Sequence, residues 1–472
     1  MAQCTPGSNR ELCWWQHGRV SNSPDVVVSN SHTFAVTADD IDTAARRISS
    51  VVSATPLQYC ERLSAVTGAQ VYLKREDLQI VRSYKIRGAY NLMAQLTPEE
   101  LAVGVVTASA GNHAQGVAFA CRSMQVHGRI YVPANTPKQK RDRIRVHGGE
   151  FVELIVTGDT FDAASASAAA DVARTGATMV PPFDDARTVA GQGTIAAEII
   201  EQLGAAPDTV VMPVGGGGCI AGISTYLRER SPASALVGVE PSGAASMTAA
   251  LVAGGPVTLA EIDPFVDGAA VRRIGDVPYA ALQNLGAEVV SHASLPLMAM
   301  PAFRPGTLDS GPFLVTQIDE GAICTAMLDL YQNEGVIAEP AGALSVAALH
   351  QISVAPGSTV VCLISGGNND VSRYGEILER SLVHLGLKHY FLVDFPQEPG
   401  ALRRFLDDVL GPDDDITLFE YVKRNNRETG AALVGIQLGM AAGLSSLLER
   451  MRSSHLQVEQ LEPGTPAYRY LT

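Results

Sequence analysis

A lysine stands in the first turn of a predicted helix within residues 83–96, which read SYKIRGAYNLMAQL. Ser83 occupies the position of an N-cap, and the apolar face of the helix is formed by Ile86, Ala89, Tyr90 and Met93. Lys85 then lies where the helix dipole disfavours a cation. Most lysines are exposed on solvated faces; the alternative here is a desolvated amine with a lowered pKa, which suits Schiff-base chemistry.

A second feature with chemical potential is the glycine run within residues 211–222, VMPVGGGGCIAG. Gly215, Gly216, Gly217 and Gly218 follow a short apolar strand and precede a helical pattern of small residues. Glycines let backbone N–H groups converge on phosphate oxygens, and the start of a helix favours negative charge. The run therefore predicts a phosphate site. A tight turn without a ligand is the alternative, and four successive glycines argue against it.

The glycine run alone does not identify the owner of the phosphate. Gly216, Gly218 and Ala221 satisfy the GxGxxA form of the dinucleotide fingerprint, and Glu240 ends the next predicted strand. No Gly-Lys-Ser/Thr follows the glycines, which argues against a nucleoside triphosphate. A dinucleotide and a smaller phosphate ester both remain open on these residues.

The glycine run lies in a region where strand and helix patterns alternate along the chain. From about residue 100, apolar segments such as GVVTAS, IYVP, FVELIV, TVVMPV and ALVGVEP are separated by helical ones. Strands that are apolar throughout belong in a sheet that is buried on both faces. The sequence therefore predicts a parallel α/β architecture.

The pattern changes after about residue 385. HYFLVDFP alternates as a strand, PGALRRFLDDVLG has helical spacing, and two more strands are joined across KRNNRETG, where Asn425 and Asn426 are predicted to turn the hairpin. LSSLLERM is a second amphipathic helix, and a weak strand follows near Val458. The order βαββα(β) predicts a separate ferredoxin-like α+β module.

Composition narrows the class of protein. A chain of 472 residues with 46% hydrophobic and 18% charged residues predicts a globular protein of two or more domains. A net charge of −14 argues against nucleic acid or an anionic membrane as the main partner. The seven cysteines include no CxxC spacing, which favours a reducing compartment over a disulfide framework or zinc site. With no signal-peptide pattern and no apolar segment of membrane-spanning length, we expect a cytoplasmic protein.

The lysine motif resembles that of the fold-type II pyridoxal-phosphate enzymes, specifically the serine/threonine dehydratases. KREDLQ, SYKIRGAYN, TASAGNHAQGVA, GQGT, the glycine run, EPAGAL and SGGN occur in the order that this family uses, across roughly residues 50–375. The C-terminal module resembles the ACT-like regulatory domain of biosynthetic threonine dehydratases. This resemblance assigns the phosphate to pyridoxal 5'-phosphate.

The resemblance also implies roles for individual residues. Lys85 would carry the cofactor through a Schiff base and act as the catalytic base. The other cofactor-binding residues implied are Asn112, Gly215, Gly216, Gly217, Gly218, Cys219, Ser365 and Glu339, with Ser365 facing the pyridine nitrogen and Glu339 either near the ring or a structural carboxylate. The substrate carboxylate would be bound by the loop of Ser109, Ala110, Gly111, Asn112 and His113.

Two positions depart from relatives in the family. Ala110 stands where serine racemases have a serine that acts as a second acid/base, so elimination is expected over racemisation. Glu240 matches a divalent-ion ligand of some relatives, but Ser246 replaces the usual second carboxylate. We therefore expect no divalent-ion site there, while a monovalent ion stays open.

The implied fold comprises two parallel-sheet α/β subdomains like those of the tryptophan synthase β subunit, followed by the ACT-like domain. The expected boundaries are a flexible extension at 1–32, a catalytic domain at 33–382 with its smaller subdomain near 90–185, and a regulatory domain at 383–472. The implied activity is deamination of L-threonine, and of L-serine as a second substrate, to a 2-oxoacid and ammonia. It would be the first step of isoleucine biosynthesis, in a homo-oligomer (dimer or tetramer) sensitive to isoleucine and to valine.

Three other hypotheses stay open on the sequence. The chain could be a serine racemase or another β-eliminase that uses the same cofactor, such as a hydroxyaspartate ammonia-lyase. It could be a nicotinamide-dependent dehydrogenase, as the GxGxxA spacing allows. It could also be an amino-acid-binding regulator without catalysis.

Overall fold

The computed structural model describes residues 36–290, 310–421, 428–454 and 456–462, together with Thr465 and Tyr468. The predicted extension at 1–32 and the predicted hairpin residues Asn425 and Asn426 lie outside these residues. The described residues form one compact unit. None of the described helices is both long and apolar enough to cross a bilayer.

The described elements are numbered in chain order. The strands are β1 (Leu57–Tyr59), β2 (Gln70–Arg75), β3 (Val105–Ala108), β4 (Gly128–Val132), β5 (Val152–Val156), β6 (Thr178–Met179), β7 (Thr209–Pro213), β8 (Ala235–Pro241), β9 (Glu288–Val289), β10 (Phe313–Ile318), β11 (Thr359–Ile364), β12 (Lys388–Pro396), β13 (Asp415–Tyr421), β14 (Thr429–Gln437) and β15 (Gln457–Leu461). The helices are α1 (Ala38–Ile48), α2 (Glu61–Thr67), α3 (Lys85–Met93), α4 (Pro98–Val103), α5 (Asn112–Met124), α6 (Lys138–Gly148), α7 (Phe161–Thr175), α8 (Ala186–Leu203), α9 (Gly218–Arg230), α10 (Ser246–Ala253), α11 (Asp276–Asn284), α12 (Glu320–Glu334), α13 (Pro340–Ala347), α14 (Tyr374–His384), α15 (Ala401–Val409) and α16 (Leu444–Ser453).

Two sheets of mainly parallel strands form the larger part of the molecule. The large sheet has the order β1-β2-β11-β7-β8-β10-β9, and only the β1–β2 pairing among its described pairs is antiparallel. The small sheet has the order β5-β4-β3-β6, and its described pairs are parallel. The central strands β7, β8 and β11 are almost entirely buried, because helices cover both faces of the sheet. The predicted parallel α/β fold is confirmed.

The C-terminal module is a third, antiparallel sheet with the order β13-β14-β12-β15. Helices α15 and α16 cover one face, where Phe395, Phe405 and Leu447 are buried. The predicted order βαββαβ, including the weak last strand, is confirmed. The module contacts the rest of the chain through α14, since the Tyr390 hydroxyl on β12 donates to Glu379 at 2.5 Å. The predicted domain boundaries stay predictions.

The helix that begins at Lys85 differs in one detail from the sequence prediction. Ser83 is not its N-cap: Tyr84 holds that position in a helical conformation, and Ser83 instead forms an isolated β-bridge with Gly366. The Ser83 hydroxyl is buried and has no hydrogen-bond partner among the described residues. This bridge ties the start of α3 to the loop that follows β11.

Candidate active site

Lys85 is the first residue of α3 and is enclosed by protein atoms, although part of its surface remains accessible to solvent. Its Nζ donates to the carbonyl oxygen of Pro182 at 2.9 Å and lies 6.0 Å from the centre of the Phe183 ring. Burial lowers the Lys85 pKa to about 8, despite opposing contributions from Cys219 and Glu339. An amine with this pKa is partly neutral near neutral pH and can act as a nucleophile or a base.

The glycine run forms a cup between β7 and α9. Gly217, the N-cap of α9, has a φ of +91°, a left-handed conformation that glycine adopts without steric cost. A Cβ on Gly216 would overlap the ring of Phe183, and one on Gly218 would stand 3.0 Å from the Phe183 Cα. Side chains are therefore excluded from the cup by the segment that also contacts Lys85.

The backbone donors of the cup are free to bind an anion. Among the described residues, none accepts a hydrogen bond from the N–H groups of Gly215, Gly216 or Gly217. Cys219, in the first turn of α9, is a buried thiol whose pKa burial raises to about 12, so it stays uncharged. The start of α9 adds further unpaired N–H groups and a favourable dipole. The cup is thus an anion-binding site that is formed by backbone N–H groups and the neutral Cys219 thiol.

A chain of polar side chains links three of the sequence motifs. Asn112, at the start of α5, donates from Nδ2 to Glu339 Oε1 at 2.5 Å and accepts from Asn368 Nδ2 at 2.7 Å. Burial raises the Glu339 pKa to about 7, and neighbouring Asp267 adds to the effect. The Glu339 carboxyl can therefore hold or release a proton near neutral pH.

Ser365 follows β11, the strand beside β7 in the large sheet. It is buried, and its hydroxyl donates weakly to the carbonyl of Ala341 at 3.3 Å. Its own carbonyl accepts from the N–H of Tyr84 at 3.1 Å, so Ser365 contacts the residue before Lys85. Because adjacent parallel strands end at the same edge of a sheet, Ser365 and the cup lie on that edge together.

The predicted substrate loop, residues 109–113, joins β3 to α5. Ser109 Oγ accepts from the N–H of Gly111 at 3.3 Å, and the first N–H groups of α5 face no intrahelical partner. The His113 ring contacts the carbonyl of Val180 through Nε2 at 2.8 Å, while its Nδ1 has no partner among the described residues. Burial, with nearby Lys85, lowers the His113 pKa to about 3. His113 is therefore neutral, and Ala110 adds no hydroxyl to the loop.

Three neighbours of the site were not identified from the sequence. Pro182 acts through its backbone carbonyl, which any residue offers, so no side-chain pattern marks it. Phe183 covers the glycine cup, and only the tertiary fold brings it there. Asn368 belongs to the SGGN motif, and its hydrogen-bonding side chain was the signal that could have found it.

Glu240 ends β8 and caps another helix. Its carboxylate accepts from the N–H of Met247 at 2.6 Å and from the N–H and hydroxyl of Thr248 at 2.8 Å each. Burial raises the Glu240 pKa to about 7 against the lowering effect of these donors. The described part of the chain shows no group of three or more acidic, histidine or cysteine side chains placed to hold a metal. Glu240 thus stabilises the start of α10.

Replacing Glu240 with glutamine is expected to remove part of the pH dependence of stability. The folded pKa of about 7 exceeds the ordinary 4.5, so this group favours folding below pH 4.5 and that contribution is lost as pH rises through 7. The loss reaches about 3 kcal/mol by pH 8, of which about 2 kcal/mol falls between pH 5.5 and pH 8. Unfolding of wild type and Glu240→Gln at pH 5.5 and 8 measures it, with Glu201→Gln on the exposed side of α8 as the control. Parallel pH curves for wild type and Glu240→Gln would contradict the assignment.

Two family models match the chain. Residues 48–298 match the model described as pyridoxal-phosphate dependent enzyme, and residues 379–471 match the C-terminal regulatory domain of threonine dehydratase. The biosynthetic L-threonine dehydratase IlvA of Mycobacterium tuberculosis H37Rv is 68% identical over 452 residues, 96% of this chain and 99% of that protein. Its counterpart in Corynebacterium glutamicum is 61% identical over 453 residues, 95% of this chain and 98% of that protein.

Solved structures give the same result for the fold. The processed form of threonine deaminase isoform 2 from Solanum lycopersicum superposes with a TM-score of 0.62 at 35% identity, covering 76% of this chain and 99% of that one. Maize serine racemase superposes with a TM-score of 0.61 at 27% identity, covering 74% of this chain and 99% of that one.

Proposed function

This chain belongs to the biosynthetic L-threonine dehydratases, and on that premise we propose that Lys85 holds the cofactor and removes the substrate's Cα proton. The enzyme is a pyridoxal 5'-phosphate-dependent threonine ammonia-lyase, which deaminates L-threonine for isoleucine biosynthesis. The observation that supports the role of Lys85 is its position beside the cup: its Nζ lies 6.0 Å from the centre of the Phe183 ring, the same ring that a Cβ on Gly216 would overlap.

The residues present fit this cofactor. The unpartnered N–H groups of Gly215, Gly216 and Gly217 can bind the oxygens of one phosphate monoester, and the lowered pKa of Lys85 allows its neutral amine to attach to an aldehyde. The hydroxyl of Ser365 can hydrogen-bond to a pyridine nitrogen without fixing a proton on it. When bound, the cofactor withdraws electrons from the substrate's Cα and makes its proton acidic. A neutral hydroxyl at the ring limits that withdrawal and favours prompt elimination over transamination.

Proton handling is assigned to Lys85. Its Nζ accepts the Cα proton, while the N–H groups at the start of α5 bind the substrate carboxylate. Lys85 then gives this proton to the β-hydroxyl, which leaves as water, and hydrolysis of the resulting enamine gives 2-oxobutanoate and ammonia. Ala110 carries no group that could return a proton to the opposite face of Cα. This favours elimination over racemisation.

Substrate comparison tests this proposal. With purified enzyme we expect 2-oxobutanoate from L-threonine, and pyruvate from L-serine at a lower kcat/KM, with little D-serine. Formation of D-serine faster than pyruvate would indicate a racemase, and a preference for 3-hydroxyaspartate would indicate another eliminase. No turnover of any of the three would contradict the assignment of Lys85.

We further propose that the C-terminal module senses isoleucine, with valine as an opposing effector. Its match to a regulatory domain and its βαββαβ order support this. A single module per chain supports pairing of modules between subunits, in a dimer or tetramer. The five described cysteines are free thiols, which supports a reducing, cytoplasmic location.

Isoleucine is expected to shift the threonine saturation curve to higher concentration and make it sigmoidal. The reason is linkage: an effector that favours a state with low substrate affinity lowers the apparent affinity for substrate. A coupling of 5- to 150-fold, about 1–3 kcal/mol, is the usual range for such effects. Steady-state kinetics with and without isoleucine, and with valine added back, measure it. An unchanged curve would leave the module as a dimerisation domain without an effector.

A further inference from the structure

Helix α8 lies between the helix that carries Lys85 and the helix that follows the glycine cup. It packs against α3 on one side and α9 on the other. Residues 191–194 of α8 are the Gly-Gln-Gly-Thr motif, for which the catalytic proposal gives no role. These four residues are buried at the two crossings.

At the crossing with α3, backbone packs on backbone. A Cβ on Gly191 would stand 2.7 Å from both the carbonyl oxygen of Arg87 and the Cα of Gly88. Gly88 has the reciprocal restriction, since its Cβ would stand 2.8 Å from the carbonyl oxygen of Thr188. The N–H of Gly88 also faces Gln192 Oε1 at 3.3 Å. The two helices therefore meet through the backbone at Gly191, with the Gln192 and Thr188 side chains packed against Gly88 beside it.

The crossing with α9 is equally close. A Cβ on Gly193 would stand 2.9 Å from the carbonyl oxygen of Gly222, and one on Gly222 would stand 2.6 Å from the backbone nitrogen of Gly193. Gly222 lies one turn after Gly218, where the cup ends. The motif therefore contacts both helices through glycines two residues apart.

Thr194 adds a polar connection on the α3 side. Its hydroxyl donates to the carbonyl of Gly191 at 2.7 Å and accepts from Arg87 Nη1 at 3.1 Å. Arg87 follows Lys85 by two residues on the same helix. The position of the lysine-bearing turn is thus fixed by side chain as well as by backbone contact.

We propose that residues 191–194 act as a spacer that sets the distance between Lys85 and the glycine cup, so that one molecule can be held at both ends. A ligand that is held at both ends binds more tightly than one held at a single end only when the two binding groups lie the correct distance apart. Widening either crossing by a methyl group changes that separation but leaves the lysine and the cup intact. The proposal rests on the assignment of Lys85 and the cup as the two ends of the cofactor site.

Three ligands distinguish a change in the distance between Lys85 and the cup from a change in the binding affinity of either one alone. Inorganic phosphate tests the cup alone, pyridoxal tests Lys85 alone, and pyridoxal 5'-phosphate tests both at once. The full-length protein is freed of cofactor with hydroxylamine, and the dissociation constant of each ligand is measured for wild type, Gly191→Ala and Gly193→Ala. We expect both variants to bind pyridoxal 5'-phosphate about 100-fold more weakly, the loss typical of a displacement near 1 Å. Their affinities for phosphate and for pyridoxal should change by less than about threefold.

Gly128→Ala is the matched control, since Gly128 begins β4 of the small sheet and its Cβ would overlap the Cys121 side chain on α5, at neither of the two α8 crossings. It should lower thermal stability without changing any of the three dissociation constants. Thr194→Val serves as a second test that adds no volume; losing its hydrogen bond to a charged group should weaken cofactor binding about tenfold.

The outcomes that overturn the proposal are distinct. Equal losses for phosphate and for pyridoxal 5'-phosphate in the glycine variants would mean that the cup itself is distorted. Unchanged cofactor binding in the glycine variants and in Thr194→Val would mean that the motif has no spacing role. Failure of wild type to bind the cofactor would instead contradict the proposed function, so the two failures are distinguishable.

Discussion

Replacing Lys85 with alanine is expected to lower kcat/KM for L-threonine by at least about 10⁴-fold. Lys85 is proposed to act as both nucleophile and base, and a positioned base alone contributes up to about 10⁴-fold. Ala110 has no group to take over proton transfer, and burial lowers the His113 pKa to about 3, which makes its ring a weak base. The measurement is the rate of 2-oxobutanoate formation at saturating cofactor.

The cup should remain intact in this variant, because its backbone donors do not depend on the lysine side chain. We therefore expect Lys85→Ala to bind inorganic phosphate as wild type does and to unfold at a similar or higher temperature, since a buried amine is removed. Lys138→Ala, at a position whose side chain is 83% exposed, serves as the control and should leave turnover unchanged. Normal turnover by Lys85→Ala would show that the proton-transfer assignment is wrong.

Local patterns were enough to predict the elements that carry the site. The glycine run and the first-turn lysine each have a signal in a short window, because conformational freedom and dipole effects act locally. The antiparallel module was likewise predictable from its alternation and helical spacing. Ser83 was misassigned as the N-cap because its hydroxyl suits capping, whereas its bridge to Gly366 is a tertiary contact.

The parts that could not be predicted depend on residues far apart in the chain. Asn112 and Glu339 are 227 positions apart, and no local pattern indicates that their side chains meet. From the sequence, Glu339 was either a neighbour of the cofactor ring or a structural carboxylate. In the structure it contacts Asn112, another of the predicted site residues. Its role towards the ring stays a prediction. Pro182 is 97 positions from Lys85, so its contact with Lys85, like that of the adjacent Phe183, is a property of the tertiary fold and has no local signal.

Replacing Arg87 with leucine is expected to lower the free energy of unfolding by about 3–5 kcal/mol, the usual cost of breaking a buried ion pair. Arg87 is fully buried, and its guanidinium donates to Glu76 through Nε and Nη2, to Glu198 through Nη1 and Nη2, and to Thr194 through Nη1. These five bonds use every donor of the side chain. Leucine would leave the carboxylates of Glu76 and Glu198 facing each other. Among the described residues, Lys74 is then the one cation paired with either of them, through its 2.6 Å bond to Glu198.

The pH dependence of this loss distinguishes an electrostatic cause from lost packing. In wild type, burial raises the Glu76 pKa but the charge and hydrogen bonds of Arg87 outweigh it, so the net shift is downward. Without Arg87, we expect burial to outweigh the lowering effects of Lys74 and Thr55 that remain, so that the folded pKa of Glu76 rises above its unfolded value. Stability is then lost as pH rises through that folded pKa, so the deficit of Arg87→Leu should be smaller at pH 5 than at pH 8.

Chemical unfolding of both proteins at the two pH values measures this difference, and adding Glu76→Gln to Arg87→Leu should recover part of the loss at pH 8. Arg145→Leu removes an arginine that is 56% exposed and paired with Asp142 at 3.3 Å, and it should cost no more than about 1 kcal/mol at either pH. A deficit for Arg87→Leu that is the same at both pH values would assign the effect to packing. Arg87 stands two residues after Lys85 and donates a hydrogen bond to Thr194 of the spacer motif. If Arg87→Leu shows both a pH-dependent loss of stability and weaker cofactor binding, the buried charges also contribute to the placement of the catalytic lysine.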